Sequence, residues 1–369
     1  MINIISTNAF CTVERVVPST KSAQVELRVR AEALVKKGDG TFECINGENL
    51  VNALVVNNAI EPTTPLMANC CIKNIVSSKM GGNLNINVTV GLNLHCVTET
   101  KQSCVVDVGV ENQKVVTATL VDILSNSQEF ELEFELEQPQ GMKKILTTST
   151  EVFLSNIEAG NDILTLSGSL NTNIVYLTDD EVPKLKNQFF TQVFSHELLC
   201  SGLSATNKVW ANAELGKTTL EVQGELNSAK GTILLNASVK ATFFTQKDVP
   251  QTIVVDAFCP NYQLNTTNST ITNTQLPTTV VLNERVDGSV TLDENSPRID
   301  RILCVSSSFL VIDSKELVDQ GVLLRGKILA NIVFTLDDEE CSIQSIKADI
   351  PFEIMLKCDV QSNFEVMGM

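Results

Sequence analysis

Hydrophobic and polar residues alternate at a period of two over most of this chain. In residues 129–137, Phe130, Leu132, Phe134 and Leu136 fill the gaps between Glu129, Glu131, Glu133, Glu135 and Glu137. The same alternation sets Leu84, Ile86, Val88, Val90, Leu92 and Leu94 in one phase, and likewise Ile233, Leu235, Ala237, Val239, Ala241 and Phe243. This period belongs to a strand with one buried face, because successive side chains on a strand point to opposite sides. Turn signals separate the runs: "KKGDG" (36–40), "KMGGN" (79–83), "TDDEV" (178–182), "SAKG" (228–231) and "LDDEE" (336–340). Only "NQFFTQVFSHEL" (187–198) lets a short helix compete with a strand. The pattern predicts an all-β protein of tandem antiparallel β-sandwich-like repeat domains.

The strands repeat in groups. "ILTLSGSLNTNIVYLTDDE" (163–181) and "VLLRGKILANIVFTLDDEE" (322–340) share a glycine, an Asn-Ile-Val-aromatic tetrad and an acidic end. "KKILTTSTEVFL" upstream matches "DRILCVSSSFLV", and "SAQVELRVRAEALVKKGDG" is a weaker first copy with Val25, Leu27, Val29, Ala31, Ala33 and Val35 in phase. A second kind of unit pairs "NLNINVTVGLNLHCVTET" with "TILLNASVKATFFTQKD", preceded by "MANC" and "WANA" respectively. The chain reads A–B–A–B–A. Its expected domains are 1–140 (degenerate A plus B), 141–285 (the second pair) and 286–369 (the last A), with 259–279 as the linker. Leu166, Leu170, Ile174, Leu324, Ile328 and Ile332 share one register and are expected in sandwich cores. Gly168 and Gly326, lone glycines inside strands, are expected at a bulge or a close backbone approach.

The 369 residues carry a net charge of −17, which argues against nucleic acid, whose binding needs a Lys/Arg surface to neutralise phosphates. No stretch reaches the length of a membrane span, and "MINIISTNAF" lacks the basic and apolar regions of a secretory signal. Synthesis in the cytoplasm is expected, without membrane insertion. The glutamate stripe poses a choice between a metal site and the wet side of a strand. Neighbours on one face stand about 6.5–7 Å apart, too far to grip one small ion from a single segment. The acidic tips 179–181 and 337–340 could recruit calcium but lack the D-x-D-x-D-G spacing, so they read as solvated hairpin ends. Two histidines, His95 and His196, are too few and too scattered for a general-base site and are expected at the surface or half-buried. Trp210, Tyr176 and Tyr262 are expected in core or interface packing. No catalytic, cofactor or metal residue is assigned, and the chain is expected not to be an enzyme.

The cysteines number eleven, an odd count, with no C-x-x-C pair to suggest zinc. Most lie in apolar strand patterns. Cys70, Cys71 and Cys341 fall outside them and are the candidates for intermolecular disulfides in an oxidising setting.

The third A unit, residues 296–354, resembles the SPOCS domain of endospore-forming Firmicutes. The likeness is carried by Ile299, Ile302 and Leu303, then Leu324, Gly326, Ile328, Ile332 and Phe334, then Ile350, Pro351 and Phe352. The middle unit keeps Ile145, Leu146, Gly168, Leu170, Ile174 and Tyr176 but has "FFTQVF" where the family has I-P-F. The resemblance implies a place in the spore envelope: coat, exosporium or spore appendage. It supplies no catalytic residue, and no LysM-like segment accompanies it. The resulting expectation is a structural protein that self-assembles through repeated β domains, by head-to-tail contact or β-augmentation, with the acidic stripe as an interaction face. Other spore coat proteins are further expected partners. The rival expectation is a monomeric adaptor that docks a coat protein or a glycan at the spore surface.

Overall fold

The computed structural model describes residues 2–80, 83–97, 105–109, 112–181, 183–223, 231–258, 286, 289, 298–319, 321–337 and 342–357. The strands are β1 (Asn3–Ser19), β2 (Ser22–Lys36), β3 (Phe42–Val56), β4 (Leu66–Met80), β5 (Asn83–Cys96), β6 (Asn112–Glu137) and β7 (Met142–Ala159). They continue as β8 (Ile163–Thr178), β9 (Leu185–Leu199), β10 (Lys208–Gln223), β11 (Thr232–Phe258), β12 (Ile299–Val318), β13 (Gly321–Leu336) and β14 (Ile343–Lys357). Every pairing is antiparallel. Residues 187–198 lie in β9, so the strand period prevails there. Among the described residues no helix is long and apolar enough to cross a membrane.

Each A unit is a three-stranded meander: β1-β2-β3, β7-β8-β9 and β12-β13-β14. Their agreement extends to the irregularities. The first strand of each carries a bulge at Ile5, Leu146 and Leu303, and another at Glu14, Ser155 and Asp313. Gly168 and Gly326 lie opposite that second bulge. A Cβ there would stand 2.0 Å from the Phe153 carbonyl oxygen and 2.1 Å from that of Val311, so both glycines permit a close backbone approach.

The B units are sheets β4-β5 and β10-β11-β6. β6 departs from the sequence expectation. It lies within residues 1–140, yet it pairs along β11 from Thr232↔Glu137 to Phe258↔Asn112, across the expected boundary at 140. Two sandwiches result. In the second, Phe130, Val239, Ala241 and Phe243 pack on Leu154, Leu164, Leu166 and Phe194, while Leu136, Ile233 and Leu235 pack on Ile174 and Tyr176. In the first, Ala68, Cys70, Val90, Leu92 and Leu94 cover Val13, Val25 and Leu27. Leu166, Leu170 and Ile174 are fully buried and Leu324 nearly so, as their register requires. Ile328 and Ile332 are only half-buried, because no described B sheet lies over the third meander.

The meanders join in a hub with threefold pseudosymmetry. The bulge residues Ile5, Leu146 and Leu303 meet Leu34, Val175 and Val333, ringed by Phe42, Leu185 and Ile343, with each meander supplying one of each set. A bulge re-aims a side chain away from the strand's alternation, and here it turns one residue per unit into the hub. Thr147 Oγ1 donates to Glu32 Oε2 at 3.2 Å, linking the first meander to the second, and Asn173 Nδ2 donates to the Leu303 carbonyl at 3.5 Å, linking the second to the third. β13 and β14 in turn touch β1, which closes the ring.

The two sandwiches also contact each other directly. Trp210 and Phe244 of the second pack with Met67 of the first, and the His95 and Trp210 rings meet edge-on at 4.5 Å. Beside them a charged pair grips the backbone of β1. Glu214 Oε2 accepts from the Val13 amide at 2.9 Å, and Lys240 Nζ donates to the carbonyls of Val13 and Glu14 at 2.7 and 2.8 Å. Burial pushes the Glu214 carboxyl above its ordinary value of 4.5, against the pull of the Val13 amide and of Lys240.

Two predictions follow from this architecture. Gly168→Ala and Gly326→Ala should each cost about 1–3 kcal/mol, since the added methyl meets backbone that cannot swing aside; urea unfolding checks this. Glu214 holds its proton more tightly folded than unfolded, so its contribution to stability is full below pH 4.5 and is lost as pH rises through the folded value. Glu214→Gln keeps an acceptor for the Val13 amide and removes that dependence. The melting temperature of the variant minus that of wild type should therefore grow from pH 4.5 to 7, and a difference that stays flat would refute the assignment.

Candidate assembly interface

The three A units offer one strand position in three states. In the second sandwich that position holds β6, whose Phe130 covers Phe194 with ring centroids 6.2 Å apart. The acidic stripe is the outer face of this strand. Glu129, Glu131, Glu133, Glu135 and Glu137 are all exposed, whereas Phe130 and Leu136 are buried and Leu132 and Phe134 half-buried. Glu129 pairs in register with Lys240 and accepts a hydrogen bond from Ser238 Oγ. Among the described residues no group of three or more His, Cys, Asp or Glu side chains could hold a metal ion. The tip 179–181 is exposed, with Asp179 near Lys143 at 3.6 Å, and residues 338–340 lie outside the described set.

In the third unit Phe352 takes the place of Phe194, and Val286 packs on it together with Val322 and Leu324. In the first unit the matching residue is Val51, opposite Leu27 as Phe194 is opposite Gly168. Nothing of the β6 kind covers it among the described residues, and it is 41% exposed against 8% for Phe194 and for Phe352. The deficit extends along β5. Leu84, Ile86, Val88, Val90, Leu92 and Leu94 are all half-exposed, while their counterparts on β11, from Ile233 to Phe243, are fully buried. Among the described residues the difference is one strand: β11 is flanked on both sides and β5 on one.

The β5 edge also differs in composition from the others. Residues 83–96 contain no Lys, Arg, Asp, Glu or Pro. Every other described strand at a sheet edge carries at least two charged residues, as β3 does at Glu43 and Glu48, and β4 at Lys73 and Lys79. Charge and proline are what ordinarily blunt an open edge. β5 has neither. A second exposed element is the arm where the N-terminal half of β6 pairs with the C-terminal part of β11, leaving Val115, Val116, Leu124 and Phe258 on the surface.

The remaining residues singled out in the sequence do not converge. His196 stacks on Phe130 at 4.1 Å between centroids, and His95 lies against Trp210, on opposite faces of the second B sheet's neighbourhood. Trp210 and Tyr176 are buried in packing clusters, and Tyr262 lies outside the described residues. Burial pushes the Cys44 and Cys304 thiols up to about 11, which disfavours the reactive thiolate. Cys70 is turned into the first sandwich, where a hydrogen bond with the Cys11 thiol and then burial raise its pKa. Cys11 of the same chain is therefore within reach of it. Cys71 is half-buried near Gly91, and Cys341 lies outside the described residues. Oxidation of the purified chain should join Cys11 to Cys70 internally, read as one cross-linked peptide pair by mass spectrometry and abolished by Cys70→Ser. A Cys70-dependent dimer on a non-reducing gel would be the contrary result.

No family model matches the chain, and no significant match was found among curated proteins or among solved structures.

Proposed function

We propose that this chain is a structural, non-enzymatic protein of the bacterial spore envelope that assembles with copies of itself through its β domains. The observation that carries self-assembly is the β5 edge: uncharged, unpaired among the described residues, and bordered by a half-exposed apolar face that a third strand buries in the second sandwich. Adding a strand to such an edge supplies backbone hydrogen bonds and covers alternate side chains together, which is the basis of β-augmentation. The spore setting is supported by the resemblance of residues 296–354 to the SPOCS domain. The recurring bulges and close-approach glycines give that resemblance a structural role for Leu303 and Gly326.

Sedimentation velocity and negative-stain microscopy across a concentration series test the proposal. Ordered oligomers or fibres should grow with concentration. A chain that stays monomeric throughout would favour the adaptor reading instead. The acidic stripe should tune this process. Replacing Glu131, Glu133 and Glu135 by Gln should leave the fold intact, with stability changed by no more than about 0.5 kcal/mol per site as usual at the surface. Assembly of that variant should depend less steeply on salt, because less like charge needs screening.

A further inference from the structure

We propose that Cys11 and Cys70 form a redox site, which closes as a disulfide across the first sandwich and tightens the hold of Glu214, in the second sandwich, on β1 and β4. The inference concerns a covalent site and stands whether or not the chain assembles.

The pair occupies a position that the second sandwich fills with hydrocarbon. Cys11 lies three residues before the bulge at Glu14, and Val152 lies three before the matching bulge at Ser155. Cys70 ends "MANC" as Ala213 ends "WANA". Val152 and Ala213 belong to one apolar cluster, as Cys11 and Cys70 do to theirs. The same contact across a sandwich is thus made by a valine and an alanine in one and by two thiols in the other. Packing alone asks for no sulfur there. The thiols are in hydrogen-bonding contact, and both are half-buried rather than sealed in the core.

Glu214 ties this pair to the contact between the sandwiches. A bulge disrupts the hydrogen-bond ladder of its strand. At Glu14 the second sandwich takes up the backbone groups: the Val13 amide donates to Glu214 Oε2 at 2.9 Å, and the Val13 and Glu14 carbonyls accept from Lys240 Nζ. The Cys70 amide also bears on the Glu214 carboxyl, whose Oε1 is buried with no hydrogen-bond partner among the described residues. One carboxylate therefore faces the amide two residues beyond Cys11 and the amide of Cys70 itself. A bond between the two sulfurs fixes the spacing of those amides, and preorganised donors bind a carboxylate more firmly than mobile ones.

Closure needs an oxidant, and a small-molecule disulfide of the glutathione class supplies it. The Cys11 sulfur, as thiolate, attacks one sulfur of that disulfide; the small S–S bond breaks, and the leaving thiolate takes up the proton that Cys11 released. The Cys70 sulfur then gives up its proton and attacks the Cys11 sulfur, forming the internal bond and expelling the second small thiol. The two protein thiols are oxidised and the small disulfide is reduced. Cys11 reacts first because Cys70 is held protonated by its hydrogen bond with Cys11, by burial and by the charge of Glu214. A reducing compartment keeps the pair open, and an oxidising one closes it.

The full chain, reduced or treated with oxidised glutathione, tests the site by peptide mapping and urea unfolding. Oxidation should join Cys11 to Cys70 and raise the folding equilibrium constant by about a hundredfold, as usual for a native disulfide. That gain should vanish in Cys11→Ala and shrink by about threefold or more in Glu214→Gln, the size of an ordinary coupling between contacting groups. In the wild-type chain, hydrogen exchange of the Val13 and Cys70 amides should slow on oxidation. An oxidised chain that pairs other cysteines, or that gains no stability from pairing these, would overturn the redox site. An equal gain in wild type and Glu214→Gln would overturn the link to Glu214. Should that variant fail to fold, unchanged exchange at the two amides would overturn the link instead.

Discussion

The constraint that governs this molecule is that a three-stranded meander with one apolar face cannot stand alone. Small sheets gain independent stability only by packing that face on another layer. The second meander meets the demand with three strands, and Leu164, Leu166, Leu170 and Ile174 are fully buried as a result. Among the described residues the first has two strands over it, and the third has Val286. The exposure of Val51 and the half-burial of Ile328 and Ile332 are the direct consequence of that unequal cover. Among the described residues, what differs between the units is less their own sequences than how many strands lie across them.

The hub is the second level of the same economy. Three sheets that share a design can share a core only if each turns a side chain out of its alternating pattern. The bulges at Ile5, Leu146 and Leu303 do this on the first strand of each unit. On the middle strand Leu34, Val175 and Val333 lie in the phase opposite to the sandwich residues, and they are buried all the same. There the strand is covered on both faces: Ile174 packs in the sandwich while its neighbour Val175 packs in the hub. Asn173, the first residue of the recurring tetrad, adds a hydrogen bond to the next unit.

Much of this was legible in the sequence, and the rest was not for definite reasons. Period-two alternation located the strands, and the lone glycines marked the backbone approach. The tetrad Asn-Ile-Val-aromatic was visible as a repeat, but its burial on both faces was not read from it. Period alone could not say what the second face would meet. Pairing of β6 with β11 was likewise beyond the pattern, since a strand's alternation fixes which face is buried and not which edge it joins. The Cys11–Cys70 contact was hidden for a similar reason: it joins β1 to β4 across a sandwich, and no spacing rule links residues so far apart in the chain.

In the proposed assembly, charge and edge chemistry divide the control of association between them. A net charge of −17 keeps copies apart at a distance, but its reach is about 8–10 Å at ordinary ionic strength. Inside that range the local surface decides. An approaching strand meets glutamates on the outer face of β6 and charged side chains along β3 and β4, whereas along β5 it meets Asn, Thr and Gly. In the proposed assembly, salt would act on how often copies come together, and the neutral edge on where they join. With β5 as the one uncharged strand edge among the described residues, such an acidic chain would resist indiscriminate sheet growth while leaving that edge free to take a strand.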